Sequence, residues 1–171
     1  SARGKIKKNI QLVKVEVLIE KVQKLIMKYP NVFILPLDFA VEKNGKRIEK
    51  DIADLDENDE ILDIGHKTVE KYSKIIEGAG TVFISGPAGA FEREDYNFGT
   101  ENLLKKISTC LSTTIVSGGH LTAALQKFGL TDQIDHVSTA GGALVLYLAG
   151  KRLPMMEVIE ITYKKDGKKI K

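Results

Sequence analysis

Three short glycine-bearing segments hold the residue types in this chain that could do chemistry. The first is Ser85-Gly86-Pro87-Ala88-Gly89-Ala90-Phe91-Glu92. The second is Ser117-Gly118-Gly119-His120-Leu121, and the third Ser138-Thr139-Ala140-Gly141-Gly142-Ala143. Each follows a brief apolar run and precedes a helical pattern, so each reads as a turn from the carboxyl end of a strand into a helix. Glycine there permits unusual dihedrals and close approach of backbone to a ligand. The free N–H groups that open a helix, together with its dipole, favour phosphate. One such turn is more often tight packing, but three at equivalent positions favour an anion site. The ligand suited to them is a polyphosphate with its metal. Neither the G-x-x-x-x-G-K-[ST] pattern nor G-x-G-x-x-G occurs at these turns. No Ser-His-Asp or Cys-His constellation calls for a covalent enzyme intermediate.

The elements that must position these turns follow from hydrophobic periodicity. A leading amphipathic helix is expected from about Asn9 to Tyr29, with Val15, Leu18, Val22, Leu25 and Ile26 near one face and Pro30-Asn31 as its stop. Val32 to Pro36 (VFILP) has the continuous apolar character of a strand buried on both faces. Asn44-Gly45 between FAVEK and KRIEK predicts a hairpin, a surface excursion from the main pattern. The acidic stretch Asp51 to Glu60 reads as a loop. Strand and helix then alternate. Strands are expected at Ile61–Ile64, Val82–Ser85, Thr113–Ser117 and Ile134–Ser138. Helices are expected at His66–Gly78, Gly99–Cys110, Gly119–Phe128 and Gly141–Leu148. This alternation predicts an α/β, Rossmann-like, three-layer domain with a mainly parallel sheet, helices on both faces and right-handed crossovers. Ligands of such sheets sit beyond the carboxyl ends of the strands.

The bulk properties agree. The chain has 171 residues, enough for one domain, with 43% hydrophobic and 29% charged residues, a globular composition. A net charge of +3 with interspersed signs argues against a nucleic-acid partner. A single cysteine, Cys110, allows no internal disulfide and points to a reducing, cytoplasmic location. No signal-peptide pattern and no apolar run of membrane-spanning length are present, so no membrane partner is expected.

Six strings, LPLDFA, DIGHKT, SGPAGAFE, FGTENLLKKI, VSGGHLTAALQKFGL and DHVSTAGGALVLYLAGKRLP, run in order from Leu35 to Pro154. In order and spacing they resemble the C-terminal, nucleotide-binding domain of phosphoglycerate kinase, and the His in SGGHL is similar to the archaeal branch. The resemblance implies binding of ATP or ADP with Mg²⁺ and transfer of a phosphoryl group between 1,3-bisphosphoglycerate and ADP in glycolysis. Glu92 matches the glutamate that holds the ribose, and Leu35, Pro36 and Asp38 match a segment lining the nucleotide site. Gly118, Gly119, His120 and Leu121 match the loop that meets the phosphates and metal. Thr139, Gly141 and Gly142 match the last glycine-rich turn, near the transferring phosphoryl, where Ala140 replaces a common glycine. Histidine is a poor ligand for hard Mg²⁺, so the resemblance leaves the metal ligands undefined at His120.

The family's Gly-Gly-Ala-Lys motif, its second adenine-side turn and its basic substrate cluster do not occur in the sequence. An N-terminal substrate domain is therefore an expected partner, and this chain alone is expected to bind nucleotide without turnover. The alternative is a non-catalytic binding or interaction module of the same fold. From Pro154 to Lys171 a C-terminal tail is expected to expose Met155, Met156, Val158 and Ile159 and to promote self-association.

Overall fold

A computed structural model describes residues 13–166. The described chain divides into two compact units. One runs to Gly78 and includes Ala88–Lys106; the other comprises Ala79–Pro87 and the chain from Ile107 onward.

In the first unit, helix α1 spans Val13–Lys28, so residues 9–12 of the expected helix lie outside the described residues. Strands β1 (Asp38–Lys43) and β2 (Lys46–Asp51) form the expected hairpin. Its turn places Asn44 at φ 53° and Gly45 at φ 71°, the left-handed pair that matches strand twist. A 3-10 turn, Ile52–Asp54, interrupts the acidic loop. Strand β3 (Ile61–Ile64) then returns antiparallel to β1, giving the order β2-β1-β3. The hairpin stands apart from the parallel sheet as expected, but one expectation is corrected: Ile61–Ile64 does not join the parallel sheet and instead adds a third strand to the hairpin. A short apolar run carries no record of which neighbour it pairs with.

Helix α2 (His66–Glu77) and helix α3 (Phe98–Thr109) complete this unit, α3 running on into the second. Buried Ile64, Val69 and Leu103 form its core, with Phe39, Tyr72, Ile76, Ala88 and Phe98 packed around them.

The run Val32–Pro36 is not a strand. Val32 and Leu35 are exposed, at 69% and 56%. Apolar character cannot supply a pairing partner. Here the carbonyls of Ile34 and Leu35 accept instead from α2 side chains, Tyr72 Oη at 3.0 Å and Lys71 Nζ at 3.1 Å.

The second unit holds a parallel sheet of β4 (Thr81–Ser85), β5 (Thr113–Ser117) and β6 (His136–Ser138), in the order β4-β5-β6. Helix α4 (Gly119–Phe128) packs on β5 and β6 through the wholly buried Leu121, Ala124 and Leu125. It ends at Gly129, φ 68°, where Leu130 N–H donates to Leu125 O at 2.9 Å, closing the helix with a left-handed cap. Helix α5 spans Gly141–Leu148. The expected tail is a helix, α6 (Pro154–Asp166), with Met155, Val158 and Ile159 exposed. Proline at its first position is the start signal that betrays it. The architecture is thus the expected α/β one, a parallel three-stranded sheet flanked by helices, with a further antiparallel sheet. No helix among the described residues is long and apolar enough to cross a membrane.

Candidate functional site

Parallel pairing fixes the ends of β4, β5 and β6 relative to one another. Ser85 is the register partner of Ser117, and Ser117 of Ser138. Three strands therefore stop at one level, each on a serine. Adjacent strands lie about 4.8 Å apart, so the three ends span roughly 10 Å, room enough for a polyphosphate.

Beyond each serine the chain turns on glycine. Gly86 takes φ 93°, Gly118 φ 106° and Gly141 φ 32°. The corners after β5 and β6 touch. Gly118 N–H donates to Ser138 O at 2.8 Å. A Cβ built on Gly141 would lie 3.5 Å from Gly118 Cα. Neither corner is plugged, because a Cβ on Gly119 or Gly142 would meet nothing within 4 Å.

Hydrogen bonds decide which amides can serve a ligand. The Gly118 N–H is taken by Ser138, and the Ala140 N–H by Ser138 Oγ at 3.2 Å. The N–H groups of Gly119, His120, Leu121, Gly141 and Gly142 find no acceptor among the described residues. Five donors at two adjacent helix starts are left unclaimed by the fold, an arrangement that favours an anion. The Leu121 side chain is core, so only its backbone can contribute. His120 and Thr139 are exposed. The corners hold hydroxyls and amides but no carboxylate, and no cluster of metal-ligating side chains forms among the described residues. The side chains present do not fit a protein-held Mg²⁺.

The first turn differs from the other two. Its Ala88 and Gly89 N–H groups both donate to Thr100 Oγ1, at 3.1 and 3.3 Å. Gly89 is required by packing, since a Cβ there would lie 2.3 Å from Asp63 Oδ1. Glu92 stands exposed in the turn after buried Phe91, and Leu35 and Pro36 lie in the unpaired run described above. All three belong to the first unit, whereas the corners belong to the second.

The first unit also contains a polar centre with no local sequence pattern. Asp38, at the start of β1, caps α2 from outside. It accepts from Lys67 N–H at 3.0 Å, Thr68 N–H at 2.8 Å and Thr68 Oγ1 at 2.6 Å. A Cβ on Gly65 would lie 2.3 Å from that carboxylate. Asp63, on β3, caps α3 in the same way through Gly99 N–H at 2.9 Å and faces Arg47 at 3.7 Å. Arg47 also pairs with Glu49, whose carboxylate accepts the His66 N–H at 3.1 Å and bonds His66 Nδ1 at 2.6 Å.

The two aspartates are shifted in opposite directions from the ordinary carboxylate value. Burial pushes Asp38 up, but the Thr68 hydroxyl and the Thr68 and Lys67 amides outweigh it and hold the carboxyl below its ordinary value. Burial dominates at Asp63 and raises it, despite the Gly99 and Ile64 amides and Arg47. A depressed folded value means that Asp38 stabilises above the unfolded carboxylate range and loses that contribution as pH falls through the folded value. Asp63 has the opposite sign, its titration favouring the fold below the unfolded range and ceasing to do so as pH rises through the raised value. We expect Asp38→Ala to cost about 2–3 kcal/mol at neutral pH, for the several bonds lost to a charged acceptor. In urea unfolding repeated from pH 7 to 3, the gap to the parent should close as pH drops below the ordinary carboxylate range. A gap independent of pH would show that the ionised form is not what the fold uses.

Comparison with known proteins bears on what such corners do. The sequence model of the family described as phosphoglycerate kinase matches residues 3–151. A phosphoglycerate kinase from Methanothermus fervidus is 41% identical over 152 residues, covering 89% of this chain and 37% of the relative. One from Methanococcus maripaludis is 42% identical over 151 residues, covering 86% and 36%. Among solved structures, phosphoglycerate kinase from Pyrococcus horikoshii OT3 superposes with a TM-score of 0.79 at 34% identity, covering 96% of this chain and 42% of that one. The enzyme from Coxiella burnetii gives 0.79 at 34% identity, covering 92% and 42%. The chain thus spans little more than a third of the length of these two curated relatives.

Proposed function

The chain belongs to the phosphoglycerate kinase family, and on that premise we propose that it carries the nucleotide-handling part of phosphoryl transfer between 1,3-bisphosphoglycerate and ADP, giving 3-phosphoglycerate and ATP. The observation that carries this reading is the level row of Ser85, Ser117 and Ser138. Beyond it, two open glycine corners present unpaired amides side by side.

Phosphoryl transfer asks the protein for position and for neutralisation of charge on the transferred group, with little covalent chemistry. The amides of Gly119, His120, Gly141 and Gly142 are suited to both. They are fixed by two helices, and the dipoles of α4 and α5 oppose the phosphate charge. Gly118 and Thr139 act through backbone geometry, Gly118 by tying β5's corner to β6's. Exposed Glu92 is read as the acceptor of ribose hydroxyls, a role that suits a carboxylate. Leu35 and Pro36 are read as apolar contacts for the nucleotide. Mg²⁺ would arrive with the phosphates, held by their oxygens and water. Turnover is assigned to this chain together with the remaining length that its relatives have, which would supply the acyl-phosphate site.

Calorimetry tests this directly. ADP, titrated with and without Mg²⁺, should bind with millimolar or tighter affinity. Glu92→Ala should weaken binding about tenfold, the loss of a charge-assisted hydrogen bond. Supplying the remaining segment of a relative should restore ATP formation. Absence of binding at every accessible ADP concentration, with no turnover after complementation, would overturn the reading and leave a non-catalytic module of the same fold.

A further inference from the structure

Ser117 ends β5 and is wholly buried, yet its Oγ has no hydrogen-bond partner among the described residues. Two neighbouring hydroxyls are engaged. Ser138 Oγ accepts from Ala140 N–H at 3.2 Å, and Thr122 Oγ1 donates to Gly118 O at 3.1 Å. Among the described residues the other buried polar side-chain atom without a partner is Arg47 Nε, which belongs to a guanidinium already held through its two terminal nitrogens. Ser117 has no such second anchor.

A buried hydroxyl without a partner destabilises the fold that contains it. Alanine would fill the same place without that cost. The hydroxyl therefore makes physical sense if a partner arrives with a ligand. Its position suggests which ligand. Ser117 immediately precedes Gly118 and lies between Ser85 and Ser138 in the row of strand ends. The adjoining backbone is glycine, at Gly118 and Gly141, and can shift at low steric cost to admit a phosphate oxygen.

We infer that the Ser117 hydroxyl donates to an oxygen of the phosphate group seated on the Gly119 and His120 amides, making Ser117 a specificity-determining residue for the phosphorylated end of the nucleotide. The inference rests on the seating of phosphates proposed above. It requires two effects of opposite sign from one substitution. In the free protein Ser117→Ala removes an unpaired buried oxygen, so the melting temperature should rise by about 2–4 °C. In the complex it removes a hydrogen bond to a charged acceptor, so ADP affinity should fall about tenfold. Adenosine, which has no phosphate, should bind the parent and the variant alike.

Calorimetry with ADP and adenosine, alongside thermal unfolding of the ligand-free proteins, reads all three quantities. Unchanged ADP affinity in Ser117→Ala overturns the inference, as does an equal loss for ADP and adenosine, which marks a merely structural role. A lowered melting temperature also overturns it, because the hydroxyl would then be paired in the free protein. If the parent itself binds no ADP, the phosphate seat fails and this inference falls with it. If the parent binds and Ser117→Ala binds equally, only the inference falls.

Discussion

Gly89→Ala should destabilise the first unit by about 3 kcal/mol, at the upper end of what overpacking a well-filled core costs. The midpoint of urea unfolding, followed by circular dichroism, measures it. The new methyl would stand 2.3 Å from Asp63 Oδ1, 2.6 Å from its Cγ and 2.8 Å from its Cα. A mobile side chain could swing away, but Asp63 cannot. Its carboxylate is held by Ile64 N–H and Gly99 N–H, each at 2.9 Å. Gly99 closes the other side, where a Cβ would also lie 2.3 Å from Oδ1. The Cα belongs to β3, paired with β1 at Ala40↔Asp63. Asp63→Ala alone should cost about 3 kcal/mol, because it strands the Gly99 amide and removes a buried partner from Arg47. The double variant should then cost at least about 1 kcal/mol less than the sum, since trimming Asp63 removes most of the collision. Strict additivity would mean that Gly89 is needed for some other reason than Asp63.

That pair marks the limit of what residue order makes legible. Local signals were sufficient wherever the determinant is local. Asn44-Gly45 specifies a tight turn, and a hairpin closes there. Thr113–Ser117 ends against Gly118, Gly119–Phe128 and Gly141–Leu148 begin on glycine, and Gly129 stops the first of these helices. The level row of strand ends follows from one inference, that brief β-branched runs alternating with helices make a parallel sheet. Pairing partners are another matter. Ile61–Ile64 is as apolar as a parallel strand and pairs antiparallel; Val32–Pro36 is more apolar still and pairs with nothing among the described residues.

The remote caps are least legible of all. Asp38 reaches α2 across 30 residues and Asp63 reaches α3 across 36. Helix α2 starts after Gly65, which carries no capping side chain that would advertise the need. The only trace in the sequence is an acid within an apolar strand and glycines that look surplus to turning. Gly65, Gly89 and Gly99 are surplus only until the carboxylate beside each is placed. The same caution applies at the candidate site, where position alone cannot separate a glycine needed by the backbone from one needed by a ligand.

Gly118 and Gly119 separate those two roles. Gly118 holds φ 106° and ψ 145°, a region nearly closed to residues with a side chain, so Gly118→Ala should cost about 1–3 kcal/mol of stability. It should also weaken ADP binding, because the corner that aligns the α4 amides would be distorted. That double loss says little about contact with a ligand. Gly119 is different: it is the first residue of α4, its φ is not positive, and a Cβ there meets nothing within 4 Å. Alanine is favoured over glycine in a helix by up to about 1 kcal/mol, so Gly119→Ala should be as stable as the parent or slightly more so. Its methyl nevertheless projects into the open space that the proposed phosphate would occupy. ADP affinity should therefore fall by about tenfold or more, with the melting temperature unchanged or raised. Loss of binding without loss of stability is a result that packing cannot produce, since the fold leaves that space empty. Undiminished ADP binding by Gly119→Ala would move the phosphates off the α4 corner and onto the amides of Gly141 and Gly142 alone.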